Sequence, residues 1–360
     1  MTLASHKIDI KNLSRQQLGD WLSERNIPSF RVDQIFQWIY TRQADGFHMM
    51  TNVGKTLRAE LDATFTNFRL GVEHEVTGAD RTVKFLFRLE DGQFIETVLI
   101  PEKDHYTLCV STQVGCAQGC RFCMTAKGGF VRNLSAGEII SQVRDVQHRV
   151  QGQGDMPLTN IVLMGMGEPL ANYDNVIQAL SVITDGDFGL KFSTRRVTLS
   201  TAGLVPRLPD LGRDTQVNLA ISLNAADDDV RSRLMPINRK YPLDTLIAAC
   251  RVFPLPPRRK ITFEYILIRD VNDRPDDARR LASLLRPVRA KINLIPFNTH
   301  PGSDFQRPDP NRVDQFQEIL AARHYTVMVR HSKGQDIGAA CGQLRADRRE
   351  SRQSLETELT

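Results

Sequence analysis

Apolar positions recur at helical spacing over the first 75 or so residues. Ser14 is placed to cap a run in which Leu18, Trp21 and Leu22 share one side. Val32, Ile35, Phe36, Trp38 and Ile39 mark a second helix over 31–40, and a third is expected over 53–61. The period then changes to two. Alternation over 82–88 and a strand over 94–100 flank Asp91-Gly92, a strong hairpin signal. From Tyr106 onward strands and helices alternate. Strands are expected over 107–111, 160–164, 196–200, 217–223, 261–268 and 291–296, with 326–330 as a possible last one. Helices are expected over 138–150, 172–183, 227–234, 243–252, 276–285 and 312–323.

Six strands, most joined by helical crossovers, predict an α/β fold: a partial (β/α)6 barrel. The expected organisation is a helical accessory module over 1–75, a β-hairpin extension over 76–105 and the barrel over 106–345. A charged tail over 346–360, without apolar periodicity, is expected to be disordered.

Composition changes this picture little. The 360 residues are 41% hydrophobic and 25% charged, ordinary for a soluble protein. No apolar run is long enough to span a bilayer, and Met1 to Leu18 lack the apolar stretch of a signal peptide, so a cytoplasmic protein is expected. A net charge of +5 permits a polyanionic partner without demanding one. Basic clusters recur at Arg195-Arg196, Arg231 with Arg233, Arg239-Lys240, Arg258-Arg259-Lys260 and Arg345 with Arg348-Arg349. Each alone reads as a solvated face; their number admits RNA or DNA as a partner.

The six cysteines carry more information. Cys109, Cys116, Cys120 and Cys123 fall within 15 positions, which in a cytosolic chain points to metal binding or catalysis rather than a disulfide framework. Cys116, Cys120 and Cys123 form C-x3-C-x2-C. Three thiolates on one loop can hold three irons of a [4Fe–4S] cubane and leave the fourth open to chelate an amino and a carboxylate group. Zinc is the competing reading, but structural zinc usually takes a second ligand pair, and none is obvious here. Phe122, just before the last cysteine, completes a pattern that resembles the signature of the radical S-adenosylmethionine (SAM) superfamily.

Polar residues at the expected strand ends agree with an active site at the barrel's C-terminal mouth. Gly165-Met166-Gly167-Glu168-Pro169 resembles the superfamily's Gly-Gly-Glu-Pro element, whose backbone and acid hold the SAM amino group. Ser200, Ser222 with Leu223 and Asn224, and Asn298 end later strands, where turn or cap roles are equally available. Cys341 lies between Gly338 and Gly342, and Cys109 on the first barrel strand; each alone reads as a core thiol, as does Cys250.

Five blocks bear a more specific resemblance: residues 107–116, 164–170, 196–201, 291–298 and 340–344. In order and together with the hairpin, they resemble the RlmN/Cfr family of radical SAM RNA adenosine methyltransferases, with the closer match to the C2-directed RlmN branch. The resemblance implies a [4Fe–4S] cluster on Cys116, Cys120 and Cys123, and SAM held by Gly167, Glu168, Ser200, Ser222, Leu223, Asn224 and Asn298. It implies that Cys341 becomes S-methylated, that Cys109 resolves the later adduct through a transient disulfide, and that Glu96 accepts the adenine C2 proton. Two SAM molecules serve each turnover: one methylates Cys341, and the other, reduced at the cluster, yields the radical that activates that methyl group for addition to adenine. The implied partners are 23S rRNA and tRNA, with a flavodoxin or ferredoxin as electron donor, no membrane, and a monomeric enzyme. One departure stands out: many members have histidine at the position of Asn224. C8 methylation, a radical SAM reaction on a protein or small molecule, and a non-catalytic iron–sulfur RNA-binding protein remain alternatives.

Overall fold

The computed structural model describes residues 7–153, 156–300 and 302–346. The expected disordered tail therefore lies, from residue 347 on, outside the described residues.

The N-terminal module opens with β1 (Ile8–Asp9), followed by α1 (Arg15–Ser23), α2 (Phe30–Phe36) and α3 (Lys55–Thr64). β2 (Phe65–Thr66) returns to pair in parallel with β1. Ser14 caps α1 as expected, in a reciprocal capping box with Gln17. The helix expected over 31–40 forms, but its second half is a π-turn over Gln37–Thr41.

The remaining elements are, in chain order, β3 (Gly71–Thr77), β4 (Val83–Arg88), β5 (Phe94–Pro101), β6 (Tyr106–Cys109), β7 (Gln113–Gly115), α4 (Met124–Lys127), β8 (Phe130–Asn133), α5 (Ala136–Gln153), β9 (Leu158–Leu163), α6 (Tyr173–Thr184), β10 (Val197–Thr201), α7 (Leu208–Asp214), β11 (Asn218–Ser222), α8 (Asp228–Leu234), α9 (Leu243–Val252), β12 (Ile261–Leu267), α10 (Pro275–Leu285), β13 (Ala290–Pro296), α11 (Pro310–Ala321) and β14 (Thr326–Val329). One ten-stranded sheet runs in the order β14-β13-β12-β11-β10-β9-β6-β5-β4-β3. The strands from β6 to β14 in that row are parallel, whereas β3, β4, β5 and β6 pair antiparallel. This is the expected partial barrel, with β14 as a seventh parallel strand at its edge. The hairpin is continuous with the barrel sheet and gains β3, which was not expected. A second unexpected feature, the β7–β8 hairpin, carries the cysteine loop between its strands.

Barrel strands β12 and β13 each have one apolar face, and the other face carries polar groups. In β12, Ile261, Phe263, Tyr265 and Leu267 are all fully buried. The core runs without a break from Ile10 through the barrel to Leu344. No helix among the described residues is long and apolar enough to cross a membrane.

Charge fastens the N-terminal module to the barrel. Arg144 of α5 is fully buried; it donates to Asn67 Oδ1 (2.7 Å) and Phe68 O (2.9 Å) and pairs with Asp145 (2.8 Å). Asp145 also accepts from Leu70 N at 2.8 Å and pairs with Arg69 at 3.2 Å. Lys11, likewise buried, bridges Asp9 (2.8 Å) and Phe68 O (2.9 Å). Burial pulls the Lys11 ammonium down to about 8, against the pull of Asp9. Asp145→Asn would leave Arg144 uncompensated in the interior, a change expected to cost about 3 kcal/mol. Denaturant unfolding of wild type and variant measures this, and a loss below about 0.5 kcal/mol would show that the cluster does not hold the junction.

Candidate active site

The cysteine loop depends on two turns. Gly115 ends β7 at φ +74°, and a Cβ there would stand 2.0 Å from Gly129 O. Only glycine allows the strands to approach so closely, and Cys116 N then donates to Gly129 O at 2.8 Å. Gly119, at φ +66°, turns the chain between the first two cysteines. Cys123 caps α4. Phe122, the signature aromatic, is buried with Leu234, Met235, Ile237 and Phe297, so it anchors the loop against the turn after α8. Cys116 is buried and Cys120 and Cys123 are half-buried. Burial pushes the Cys116 thiol up to about 11. Burial first, then the charges of Cys123 and Cys116, raise Cys120. Three crowded thiolates therefore need a cationic partner.

Strand ends supply the second part. At Gly165 a Cβ would meet Ser111 Oγ at 2.7 Å, and at Gly167, with φ +104°, Gln113 Cβ at 2.6 Å. These glycines bring the β9 turn against the chain leading into the cysteine loop. Glu168 is buried, which raises its carboxyl. Its oxygens accept from Leu170 N (3.0 Å) and Ala202 N (2.7 Å), so the acid expected at the SAM amino group also ties the β9 end to the β10 end. Ser200 Oγ and Ser222 Oγ lie 3.4 Å apart, both half-buried. Leu223 is buried; its carbonyl accepts from Arg231 Nε at 3.0 Å. Asn224 sits at φ +59° with its carboxamide turned inward, donating to Met235 Sδ (3.2 Å) and accepting from Ile266 N (2.8 Å). Its side chain is a brace between β11 and β12. Asn298 donates to Cys341 O at 3.5 Å, while its buried Oδ1 has no partner. A buried acceptor without a donor is a position waiting for a ligand hydrogen.

The third part is the Cys341 segment. Met124 N, one residue past Cys123, donates to Gly342 O at 2.7 Å, and Thr125 Oγ1 to Leu344 O at 2.6 Å. Glu96 Oε2 accepts from Arg345 N (2.7 Å) and Ala346 N (3.1 Å), and its Oε1 pairs with Lys84 at 3.0 Å. Upstream, Gly334 N donates to Asp80 (2.9 Å) and Ala79 N to Asp336 (2.8 Å). The hairpin, the cysteine loop and the β13 end thus grip this segment from three sides. Cys341 is solvent-exposed but ringed by protein at the barrel mouth; that crowding, then the Glu264 carboxylate, raise its thiol, with Arg330 opposing. Cys109 lies buried on β6, its thiol raised by burial and next by the charge of Cys341. Both thiols are free.

The structure thus brings the three loop cysteines, Cys341, Cys109 and Glu96 to one end of the barrel. It adds groups that sequence reasoning missed. Glu264 is buried, its carboxyl raised by burial, and accepts from Asn293 Nδ2 at 2.9 Å. A lone acid inside the apolar run 261–268 was its available signal. Arg231, expected on a solvated basic face, is instead fully buried, because its guanidinium collects strand-end carbonyls.

The donor set fits a [4Fe–4S] cluster and SAM. A cubane asks for thiolates that each meet a different iron, which three cysteines on one loop supply. Residues 8–66 match the model described as the ribosomal RNA large subunit methyltransferase N-terminal domain, and residues 110–282 that of the radical SAM superfamily. The chain is 58% identical over 339 residues to the dual-specificity RNA methyltransferase RlmN of Desulfosudis oleivorans, covering 94% of this chain and 91% of that one. With the same-named protein of Geobacter sulfurreducens it shares 53% identity, over 94% of this chain and 92% of the relative. A crystal structure of a radical SAM methyltransferase from Sphaerobacter thermophilus superposes with a TM-score of 0.88 at 46% identity, covering 94% of this chain and all of that one.

Gly167→Ala combines a strained φ with a clash against Gln113. It should weaken SAM binding at least about tenfold while leaving the iron content of the reconstituted protein unchanged. Equilibrium dialysis with SAM and an iron assay on the same sample check both, and unaltered affinity would refute the role given to this turn.

Proposed function

The chain belongs to the RlmN family of radical SAM RNA methyltransferases, and from that membership we propose that it methylates C2 of an adenosine in 23S rRNA and in tRNA, through a methyl group carried on Cys341. The observation that carries the reading is the 2.7 Å bond from Met124 N to Gly342 O, which fixes the backbone beside Cys341 to the residue after the last loop cysteine. A mobile carrier would waste a radical, and the backbone next to this one is anchored.

Adenine C2 is electrophilic and its C–H is not acidic, so ordinary nucleophilic attack on a sulfonium methyl is closed to it. Bound cluster and SAM supply the sulfonium methyl and, after one-electron reduction, the hydrogen-abstracting radical. The chain's own residues do the rest. Cys116, Cys120 and Cys123 hold the cluster. Gly167, Glu168, Ser200, Ser222, Leu223, Asn224 and Asn298 form the SAM site, Asn298 through its unpartnered Oδ1 and the serines through their hydroxyls, with Glu168, Leu223 and Asn224 keeping the strand ends in place. Cys341 gives up its thiol proton as it takes the first methyl, then joins that carbon to the base. Lys84 and the 345–346 backbone orient the Glu96 carboxylate, which receives the C2 proton. Cys109 forms a sulfur–sulfur bond to Cys341 as the Cys341 sulfur–carbon bond to the product breaks.

The 1–75 module is proposed as the accessory RNA contact, the 76–105 segment as the extension holding the Cys341 loop, and 106–345 as the barrel. RNA enters with the target base unstacked. A flavodoxin or ferredoxin as donor, a monomeric state and a cytoplasmic setting complete the proposal.

Anaerobic reconstitution with iron and sulfide, followed by mass mapping of 23S rRNA and tRNA, should give 2-methyladenosine. Finding 8-methyladenosine instead would transfer the chain's reaction to the Cfr type, and unmodified RNA would defeat the reading. Cys341→Ala should retain cluster and SAM binding yet transfer no methyl; full methylation by that variant would refute the carrier role. Cys109→Ala should accumulate a covalent protein–RNA adduct on denaturing gels, and turnover without an adduct would count against its resolving role.

A further inference from the structure

Three cationic side chains are fully buried among the described residues: Lys11, Arg144 and Arg231. Lys11 pairs with Asp9 and Arg144 with Asp145, each at 2.8 Å. Arg231 bonds only neutral oxygens: Leu223 O (3.0 Å), Ala202 O (2.8 Å), Ser222 O (3.3 Å) and Asn238 Oδ1 (2.9 Å). The nearby Asp228 carboxylate is engaged elsewhere, by Asn238 Nδ2 at 2.8 Å and Leu243 N at 2.9 Å. No carboxylate bonds Arg231 directly, and Asp228 acts on it only across Asn238, so this interior guanidinium lacks the direct ion pair that such charges normally have.

A further anion has a place beside it. Arg231 lies in α8, whose last residue, Leu234, accepts a bond from Arg121 N at 2.9 Å, inside the cysteine loop. The turn that follows packs on the same loop: Pro236 lies 3.6 Å from where a Gly119 Cβ would be, and Met235 and Ile237 pack with Phe122, Cys120 and Cys123. Burial draws the guanidinium down to about 10, opposed by the charges of Cys120, Asp228 and Cys250 in that order, so it remains cationic at neutral pH.

We propose that Arg231 is the buried countercharge to the iron–sulfur cluster and raises its reduction potential, easing entry of the electron that starts catalysis. The inference rests on the cluster being held by Cys116, Cys120 and Cys123. A resting cubane core brings two positive charges to three thiolates, a net single negative charge; one electron from a low-potential one-electron donor makes it two. A fixed cation in a low-dielectric interior stabilises the second state more than the first. Arg231 touches no reacting atom and acts through the cluster. Its hydrogen bonds to strand-end carbonyls are a separate, structural duty that would not move the potential.

The test is a redox titration of the anaerobically reconstituted full chain, followed by electron paramagnetic resonance of the reduced cubane. In Arg231→Gln the reduced-to-oxidised ratio at a fixed potential should fall about tenfold, which is about 59 mV for one electron. Arg231→Lys, which keeps the charge, should restore most of it. Cys250→Asp provides a route that spares every Arg231 bond. The buried Cys250 thiol lies within electrostatic reach of Arg231, and a carboxylate there would neutralise it in place. That variant should lower the potential in the same direction, and Cys250→Ser should not. If Arg231→Gln does not fold, the Cys250 pair decides. A normal cubane whose midpoint is unmoved in Cys250→Asp, or lowered equally in Cys250→Ser, overturns the countercharge and leaves the cluster assignment standing. A wild-type chain with no cubane signal overturns both.

Discussion

The site depends on one stretch of backbone being held still. Residues 341–346 are fastened to the end of the cysteine loop through Gly342 and Leu344 and to the hairpin through Glu96. These bonds join parts of the chain more than 200 residues apart in sequence, as the separations of 219 for Thr125–Leu344 and 249 for Glu96–Arg345 show. On the proposed reading Cys341 carries a methyl group that must meet a short-lived radical, and such anchoring serves it, because misplacement by a single ångström can cost about a hundredfold in rate. The antiparallel extension of the barrel sheet has a physical purpose in this light. It carries Lys84 and Glu96 to the place where the Cys341 segment needs a partner for two backbone N–H groups.

Around that fixed segment, polar side chains at the barrel mouth divide into two kinds. Glu168, Asn224 and Arg231 are buried and engaged by strand-end backbone or by a neighbouring side chain. They define the mouth by holding β9, β10, β11 and β12 in relation to one another. Ser200, Ser222 and Asn298 keep unused bonding capacity there, and in Asn298 the unused atom is buried. Buried polar groups are expensive when unpaired, and the unpartnered Asn298 Oδ1 at the mouth supports the ligand contact proposed there.

Much of this was legible in the sequence, for identifiable reasons. Strong periodicity over 138–150 and 276–285, the Asp91-Gly92 turn and the Ser14 cap each correspond to an element found in the structure. The cysteine spacing is local chemistry and needs no fold to be read. What escaped notice lacked local signal. β3 has only Val72 and Val76 to suggest a strand among Gly, Glu, His and Thr, and its partner β4 supplies the order. β7 is three residues long. α7 begins with Leu208-Pro209 and contains Gly212, so it reads as a loop. Glu96 reads as an ordinary strand acid because its backbone partners lie at the other end of the chain. Arg231 was misjudged for a related reason: in sequence it neighbours Arg233 and resembles a surface pair, whereas its oxygen partners come from the β10 and β11 ends and the turn after α8.

The departure at Asn224 can be understood from the same geometry. The position adopts φ +59°, a region that histidine and asparagine both enter more readily than most residues. The first demand there is thus on the backbone, which must turn left-handed so that Asn224 O can accept from Asn272 Nδ2 at 2.7 Å and the strand can leave the barrel. The second demand is on the side chain, which must satisfy Ile266 N on the neighbouring strand; the asparagine oxygen does so at 2.8 Å. An imidazole also offers an acceptor nitrogen, but on a longer and stiffer arm. Asparagine therefore preserves the turn and the brace while shortening the reach into the mouth.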